Sequence, residues 1–264
     1  SNIIAESAMF VIIDMSDDRK RIFEKYRRHD IEIKRFDVKG CAPFFCLKAH
    51  RRFYDAEEIK KTVGRYGLAV FAHDIPIPQE LSDLEFKPYT LPLKMLICSA
   101  AAYYGSLGEK QRRECVTVID KRAKCCDVIG TLANNVRYVR VITDKAEKYE
   151  DACRKIYEKC GAAVSVTDKL ASAYGSDMII SVDNSEVKDF DCGKIMVYKK
   201  TAEQKNAYSF SSCRTVYPGF DCERAGVDSY LLLCALYETC GYRPEGIPLF
   251  DGFGAAASVM KINA

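Results

Sequence analysis

The chain is poor in several features that would mark particular functions. It has only three histidines, so a catalytic site built on histidine has little material. It contains no C-x-x-C pair, and its 13 cysteines are an odd number that cannot all pair with one another. It also lacks an apolar run of the ~18–20 residues that a membrane-spanning helix needs. These absences argue against a histidine-based catalyst, a disulfide framework and a membrane protein.

The charge balance is close to even. The sequence has 40 lysines and arginines against 37 aspartates and glutamates, a formal charge of +3. So small an excess does not indicate a nucleic-acid partner. Many cysteines stand where a small hydrophobic residue belongs, which is typical of reduced thiols in a core. The apolar run at residues 3–13 has no basic flank or cleavage site. We therefore expect a cytoplasmic protein.

The first third of the sequence predicts a small α/β domain over residues 1–91. Short apolar or alternating runs predict strands at residues 9–14, 31–36 and 68–72. Helical spacing predicts helices at residues 17–28 and 55–66, and the segment between residues 36 and 55 is interpreted as a loop. A proline-rich stretch, residues 73–92, then forms a boundary. Apolar residues at helical spacing predict a linker helix over residues 92–107.

From residue 115 onward, strands and helices alternate regularly. The predicted strands are residues 115–120, 138–143, 162–167, 178–182 and 194–198. The predicted helices are residues 121–135, 145–160, 169–174 and 227–240, with a polar loop after residue 198. Strands that alternate with helices of this length require right-handed crossovers and a parallel sheet. We therefore predict an α/β protein whose second domain, residues 92–264, is Rossmann-like, with a cleft between the domains.

Residues 115–184 resemble the Rossmann-type dinucleotide-binding fold. A smaller α/β domain followed by such a domain is also similar to the two-domain oxidoreductases of the shikimate dehydrogenase or glutamyl-tRNA reductase kind. That resemblance implies a nicotinamide dinucleotide as cofactor. No catalytic residue of those families is matched in this sequence, so none is assigned, and the cofactor is left unassigned.

The turn after the first strand of this domain departs from the family pattern. The family has G-x-G-x-x-G there, because glycine lets the backbone approach the pyrophosphate at a helix N-terminus. Residues 120–126 contain no glycine, and Asp120 places a negative charge where the pyrophosphate would lie. Lys121, Arg122 and Lys124 offset that charge without replacing the close backbone approach. The sequence therefore predicts a degenerate nucleotide loop.

Polar side chains follow each predicted strand of the second domain. Ligands of open parallel sheets bind at the carboxyl ends of the strands, which makes these residues candidates for a small polar ligand: Asp120, Thr143, Asp144, Thr167, Asp168, Asp183 and Asn184. Asp144 follows Asp120 by 24 residues, close to the spacing of the acidic residue that meets a ribose hydroxyl. The alternative is helix capping, since Asp144 opens a capping-box sequence and Asp168 immediately precedes the start of a predicted helix.

Three further candidates have weaker support. Cys41, Cys46 and His50 form C-x4-C-x3-H, but no second pair follows as zinc sites usually require, so no metal is assigned. His73, next to Asp74 after a strand, is an acid–base candidate. Cys125, at the start of a predicted helix, is a candidate for a thiol of lowered pKa.

Together these features predict a Rossmann-like protein that binds a small polar ligand at the carboxyl edge of its sheet, without conventional dinucleotide binding. The alternative is an NAD(P)-dependent oxidoreductase with a non-standard phosphate loop. Neither nucleic acid nor membrane is expected as a partner, and a homo-oligomer is compatible with the sequence.

Overall fold

A computed structural model describes residues 9–14, 32–48, 55–64, 67–72, 76–107, 114–182, 187, 190, 192, 194–197, 207–209, 215–250 and 260–261. The chain forms two compact units. One comprises residues 1–88, 214–245 and 259–264, and the other comprises residues 89–213 and 246–258. No helix in the described part of the chain is long and apolar enough to cross a bilayer.

The first unit contains a four-stranded mixed sheet in the order β2-β3-β1-β4. Its strands are β1 (Met9–Asp14), β2 (Glu32–Phe36), β3 (Phe44–Lys48) and β4 (Gly67–Phe71). β1 runs parallel to β3 and β4, and β2 is antiparallel to β3. Helix α1 (Ala56–Val63) is capped by Asp55, whose carboxylate accepts the N–H groups of Glu57 and Glu58.

The strand β3 corrects the interpretation of residues 36–55 as a loop. Its residues Phe44, Cys46 and Leu47 are buried, because the strand lies between β2 and β1 in the sheet. A short strand buried on both faces shows an unbroken apolar run rather than alternation. The nearby Gly40 and Pro43, which are typical loop residues, led to the interpretation of this segment as a loop. The helix predicted at residues 17–28 lies outside the described residues.

The segment 214–245 was assigned to the second domain by its sequence, but the structure places it in the first unit. The reason is an aromatic cluster. Phe44 stacks on Phe10 and Phe36, and the rings of Tyr217 and Phe220 meet Phe44 edge-on, each at 5.5 Å between centroids. Helix α5 (Ser229–Thr239) follows this cluster in the chain. Just beyond the helix, the Cys240 carbonyl accepts the backbone N–H of Ala42 at 3.0 Å.

The second unit is a doubly wound α/β domain. After helix α2 (Thr90–Ser106), its six strands lie in the order β7-β6-β5-β8-β9-β10. They are β5 (Cys115–Ile119), β6 (Tyr138–Ile142), β7 (Val164–Thr167), β8 (Met178–Ser181), β9 (Lys194–Val197) and β10 (Ala207–Ser209). All neighbouring pairs are parallel. Numbered from β5, this is the 3-2-1-4-5-6 order of the Rossmann fold.

Five predictions in this unit need correction or refinement. The helix predicted at residues 92–107 is α2, which begins two residues earlier, at Thr90. The helix predicted at 121–135 is only α3 (Ile129–Ala133). The helix at 145–160 is a 3-10 turn (Ala146–Tyr149) followed by α4 (Glu150–Cys160), which ends at Gly161 with φ +68°. The helix at 169–174 is a 3-10 turn (Leu170–Ala173), and β10 lies in the stretch predicted as a loop.

Candidate functional site

Asp120 follows β5 directly, and its side chain is completely buried. Its Oδ2 accepts the backbone N–H groups of Lys124 at 2.7 Å and Cys125 at 2.9 Å. The same oxygen accepts the hydroxyl of Tyr149 at 2.7 Å, and Oδ1 accepts the hydroxyl of Tyr89 at 3.2 Å. Four donors therefore converge on one carboxylate, which is how a buried negative charge is stabilised in a protein.

This arrangement explains why the helix after β5 is short. The amides of Lys124 and Cys125 bind the Asp120 side chain instead of starting helical hydrogen bonds, so α3 begins only at Ile129. The turn also places Ala123 at φ +51°, a left-handed conformation that costs a non-glycine residue about 1–2 kcal/mol. In a dinucleotide-binding turn, main-chain amides at this position face the pyrophosphate. Here the protein's own carboxylate occupies them.

The two tyrosines act as neutral donors. Burial, reinforced by the charge of Asp120, raises the pKa of Tyr89 and of Tyr149 far above that of an exposed tyrosine. A tyrosine that stays protonated keeps donating to the carboxylate at any physiological pH. The pairs are therefore fixed parts of the turn.

Tyr89, the N-cap residue of α2, and Lys94 within α2 also make side-chain contacts with this turn and the residues that follow it. The guanidinium of Arg122 lies over the ring of Tyr89, 4.4 Å from its centroid. The backbone N–H of Arg122 donates to the Tyr89 hydroxyl. Lys94, itself buried, donates to Asp127 at 2.6 Å. These contacts leave the Arg122 residue exposed at the carboxyl edge while its orientation is set by the aromatic ring.

The threonines at the strand ends bind turns. Thr143 is buried, and its hydroxyl accepts the N–H of Lys145 at 3.3 Å. The hydroxyl of Thr167 accepts the N–H of Lys169 in the same way, at 3.2 Å. In both Thr-Asp pairs the hydroxyl of the threonine, rather than the carboxylate of the aspartate, accepts the backbone N–H of the turn.

The aspartates of those pairs are left facing solvent. Asp144 makes an ion pair of 3.2 Å with Lys121, and 61% of its side chain is exposed. Neither following 3-10 turn is capped by a side chain, so the capping interpretation of Asp144 and Asp168 is wrong. Both remain available at the carboxyl edge of the sheet. Asp183 and Asn184 lie outside the described residues.

The Lys121–Asp144 ion pair links the segments that follow the paired strands β5 and β6, a contact that was not predicted from the sequence. Sequence reasoning missed Tyr89 and Tyr149, the two hydroxyl donors to Asp120. Neither stands in a recognisable motif, because each is brought to the turn by tertiary packing. The absence of glycine beside Asp120 was the only local signal.

Cys125 lacks the exposure and the lowered pKa that are typical of a reactive thiol. It is fully buried, and burial, with the charge of Asp120 second, raises its pKa well above the ordinary value. The helix N-terminus that was expected to lower this pKa begins four residues later, at α3. The low-pKa prediction for this cysteine is therefore wrong.

The described residues give no support to the metal and acid–base candidates. Cys46 is buried in β3, while Cys41 lies in the preceding turn with its thiol 3.4 Å from the Ala42 carbonyl. His50, His73 and Asp74 lie outside the described residues. Among the residues that are described, no three of the types His, Cys, Asp and Glu are placed to hold a metal. An open depression of about 740 Å³, in the first unit between Thr215 and Ser229, is distant in the chain from every predicted site residue.

Comparison with known proteins gives similarity to solved structures only. No protein-family model matches the chain, and no curated protein matches it. The L-tryptophan dehydrogenase of Nostoc punctiforme is 10% identical, with a TM-score of 0.34 over 91% of this chain and 77% of that one. The quinate dehydrogenase of Corynebacterium glutamicum, solved with NAD, is 9% identical, with a TM-score of 0.29 over 88% and 92%. The shikimate dehydrogenase of Mycobacterium tuberculosis is 10% identical, with a TM-score of 0.29 over 88% and 92%. Scores this low establish neither a shared family nor a shared activity.

Proposed function

We propose that this chain binds a small polar ligand at the carboxyl edge of its six-stranded sheet, through exposed side chains rather than through main-chain amides. One observation carries the proposal: the Asp120 carboxylate already accepts the amides of Lys124 and Cys125 that a pyrophosphate would need. A phosphate placed there would be repelled by the buried negative charge of Asp120. It would also find the two backbone amides already donating to that carboxylate.

The exposed charged side chains at this edge indicate which chemical groups the ligand should carry. Asp144 offers an exposed carboxylate, and Arg122 offers a guanidinium oriented by the Tyr89 ring. A ligand with a hydroxyl or ammonium donor at one end and a carboxylate or similar acceptor at the other complements both. Hydroxy acids and amino acids have this pattern.

A second candidate function is an NAD(P)-dependent oxidoreductase with a non-standard phosphate loop. It is favoured by the 3-2-1-4-5-6 strand order and by the exposed Asp144, the second residue after β6. An acidic residue at the end of the second strand is where a dinucleotide-binding domain holds the ribose hydroxyls. In that mode the pyrophosphate would be bound by cationic side chains of the turn after β5, those of Lys121 and Arg122.

Thermal unfolding with ligand panels tests both candidates, because a ligand that prefers the folded state raises the melting temperature. The panel holds NAD, NADP, S-adenosylmethionine, nucleotides, hydroxy acids and amino acids, each at millimolar concentration. The variants are Asp144→Ala and Arg122→Ala, and Glu245→Ala, at an exposed residue of the first unit, is the surface control.

The proposal expects a hydroxy acid or amino acid to raise the melting temperature by several degrees in the parent and in Glu245→Ala, but not in Asp144→Ala or Arg122→Ala. A shift with NAD or NADP that Asp144→Ala removes would establish the second candidate instead. If no compound gives a shift that depends on Asp144 or Arg122, the carboxyl edge is not a ligand site and both fail.

A further inference from the structure

The last strand of the six-stranded sheet, β7, is an edge strand with an unusual composition. Its sequence is Val-Ser-Val-Thr, with no charge and no proline. Proteins commonly protect an exposed strand edge with charged residues or proline, because the free backbone groups pair with other strands. The edge strand β2 of the first unit follows that rule, since Glu32, Lys34 and Arg35 are exposed on it.

The hydrogen bonds of β7 show which backbone groups face outward. The Thr143 N–H donates to the Thr167 carbonyl, so Thr167 directs its backbone groups toward β6. Because these groups alternate along a strand, Ser165 also faces β6, whereas Val164 and Val166 direct their N–H and C=O groups to the other side. Among the described strands, none lies on that side of β7.

The helix beside this edge is also incompletely packed. α4 connects β6 to β7, yet none of its side chains is buried, and Tyr157 is 66% exposed. In a doubly wound fold such a helix normally buries one face against the sheet. α4 therefore has apolar surface left for a partner.

The charges of α4 match a second copy of the same helix in the opposite direction. Its first turn is acidic, with Glu150 and Asp151, and its second half carries Lys155 and Lys159 against the single acid Glu158. Within the helix, Asp151 also pairs with Arg154 and Lys155. In an antiparallel pair the acidic end of each helix lies beside the basic part of the other, and the two helix dipoles are also opposed.

The spacing of the elements agrees with this pairing. α4 connects β6 to β7, and a crossover helix generally lies over the gap between the strands that it connects, about half a strand spacing inside β7. A twofold axis between two paired β7 strands lies half a spacing outside β7. With strands about 4.8 Å apart, two such helices would be about 10 Å apart. That matches the distance at which helices pack.

We propose that β7 is the dimer interface of this protein: it pairs antiparallel with β7 of a second copy, and the two α4 helices pack across the twofold axis. The partner is this same chain, because the strand is uncharged and the helix charges are self-complementary. The inference is independent of the proposed ligand site.

Sedimentation velocity of the full chain tests this interface. The parent is expected to sediment as a dimer at 50 µM. Val166→Pro removes only an outward N–H, so it is expected to give a folded monomer with an unchanged circular dichroism spectrum. Proline is tolerated at an edge position of this kind. Val11→Thr, in the sheet of the other unit, is the control and stays dimeric.

A charge exchange covers the case in which Val166→Pro does not fold. Lys155→Glu with Lys159→Glu is expected to weaken the dimer at least tenfold, and adding Glu150→Lys and Asp151→Lys is expected to restore it. A monomeric parent at 50 µM would overturn the proposal. A dimer that survives both Val166→Pro and the lysine reversals would overturn it as well.

Discussion

The hydroxyl of Tyr149 lies 2.7 Å from Oδ2 of Asp120, the oxygen that also accepts two amides of the following turn. Tyr149 comes from the 3-10 turn after β6, and Asp120 comes from the end of β5. This bond ties two neighbouring crossovers to one buried carboxylate. It makes the turn a closed structural unit in place of an open anion site.

Tyr149→Phe should therefore destabilise the protein while leaving its fold unchanged. The change removes one donor to a buried carboxylate, a bond worth roughly 1.5–3 kcal/mol. Urea unfolding measures the free energy of unfolding. Tyr138→Phe, at a residue of β6 that is 48% exposed, is the control, with an expected change under about 0.5 kcal/mol. Equal stability of the two variants would contradict the role of Tyr149.

The same bond gives a pH dependence. Because burial beside Asp120 raises the pKa of Tyr149 in the folded state, the unfolded chain loses this proton first as the pH rises. The stabilisation is complete below the ordinary tyrosine pKa of about 10 and declines above it. The stability difference between the parent and Tyr149→Phe is therefore expected to shrink when urea unfolding is measured at pH 10.5 instead of pH 8. A constant difference would contradict the protonated-donor assignment.

Asp120 itself should be among the most sensitive polar positions in the second unit. Asp120→Ala leaves two backbone N–H groups and two hydroxyls without their acceptor, and should cost roughly 3–5 kcal/mol. Asp120→Asn keeps part of the acceptor geometry and should cost less. Asp168→Ala, an exposed residue after β7, should change the free energy of unfolding by under about 0.5 kcal/mol. The reverse order of these variants would refute the structural role of Asp120.

The sequence predicted much of the fold because the strands and most helices carry local patterns. The runs that became β1, β5, β6 and β8 were recognisable from apolar spacing, and their alternation with helices implied the parallel sheet. β3 was missed because a strand buried on both faces lacks the alternating pattern. The helix expected from residue 121 failed because a side chain, that of Asp120, took the amides that would have begun it.

Long-range packing was beyond the reach of the sequence. Nothing local signals that Tyr217 and Phe220 meet the aromatic rings of the first sheet, so the return of residues 214–245 to the first unit was not predicted. At the candidate site, the degenerate turn was predicted from the missing glycines. The hydroxyls that complete it, from Tyr89 and Tyr149, come from elements distant in sequence.

Phe44→Ala tests the membership of that returning segment. Phe44 is fully buried between Phe10, Phe36 and the edge-on rings of the cluster, and its truncation should cost roughly 3–5 kcal/mol. Hydrogen exchange should then quicken both in β3 and in α5, while β5 and β6 keep their protection. Ile33→Ala, exposed at 42% on β2, is the control. Unchanged protection of α5 would contradict its packing on the first sheet.

The amide resonances of Lys124 and Cys125 report most directly on whether the turn can bind a phosphate. They can be followed by ¹⁵N–¹H correlation spectra while NADP, NAD or inorganic pyrophosphate is added to millimolar concentration. If Asp120 holds both amides, their chemical shifts stay constant, even where side-chain contacts at the edge move other resonances. A saturable shift of these two amides, with loss of the Tyr149 hydrogen bond, would show that the carboxylate yields its place to a phosphate.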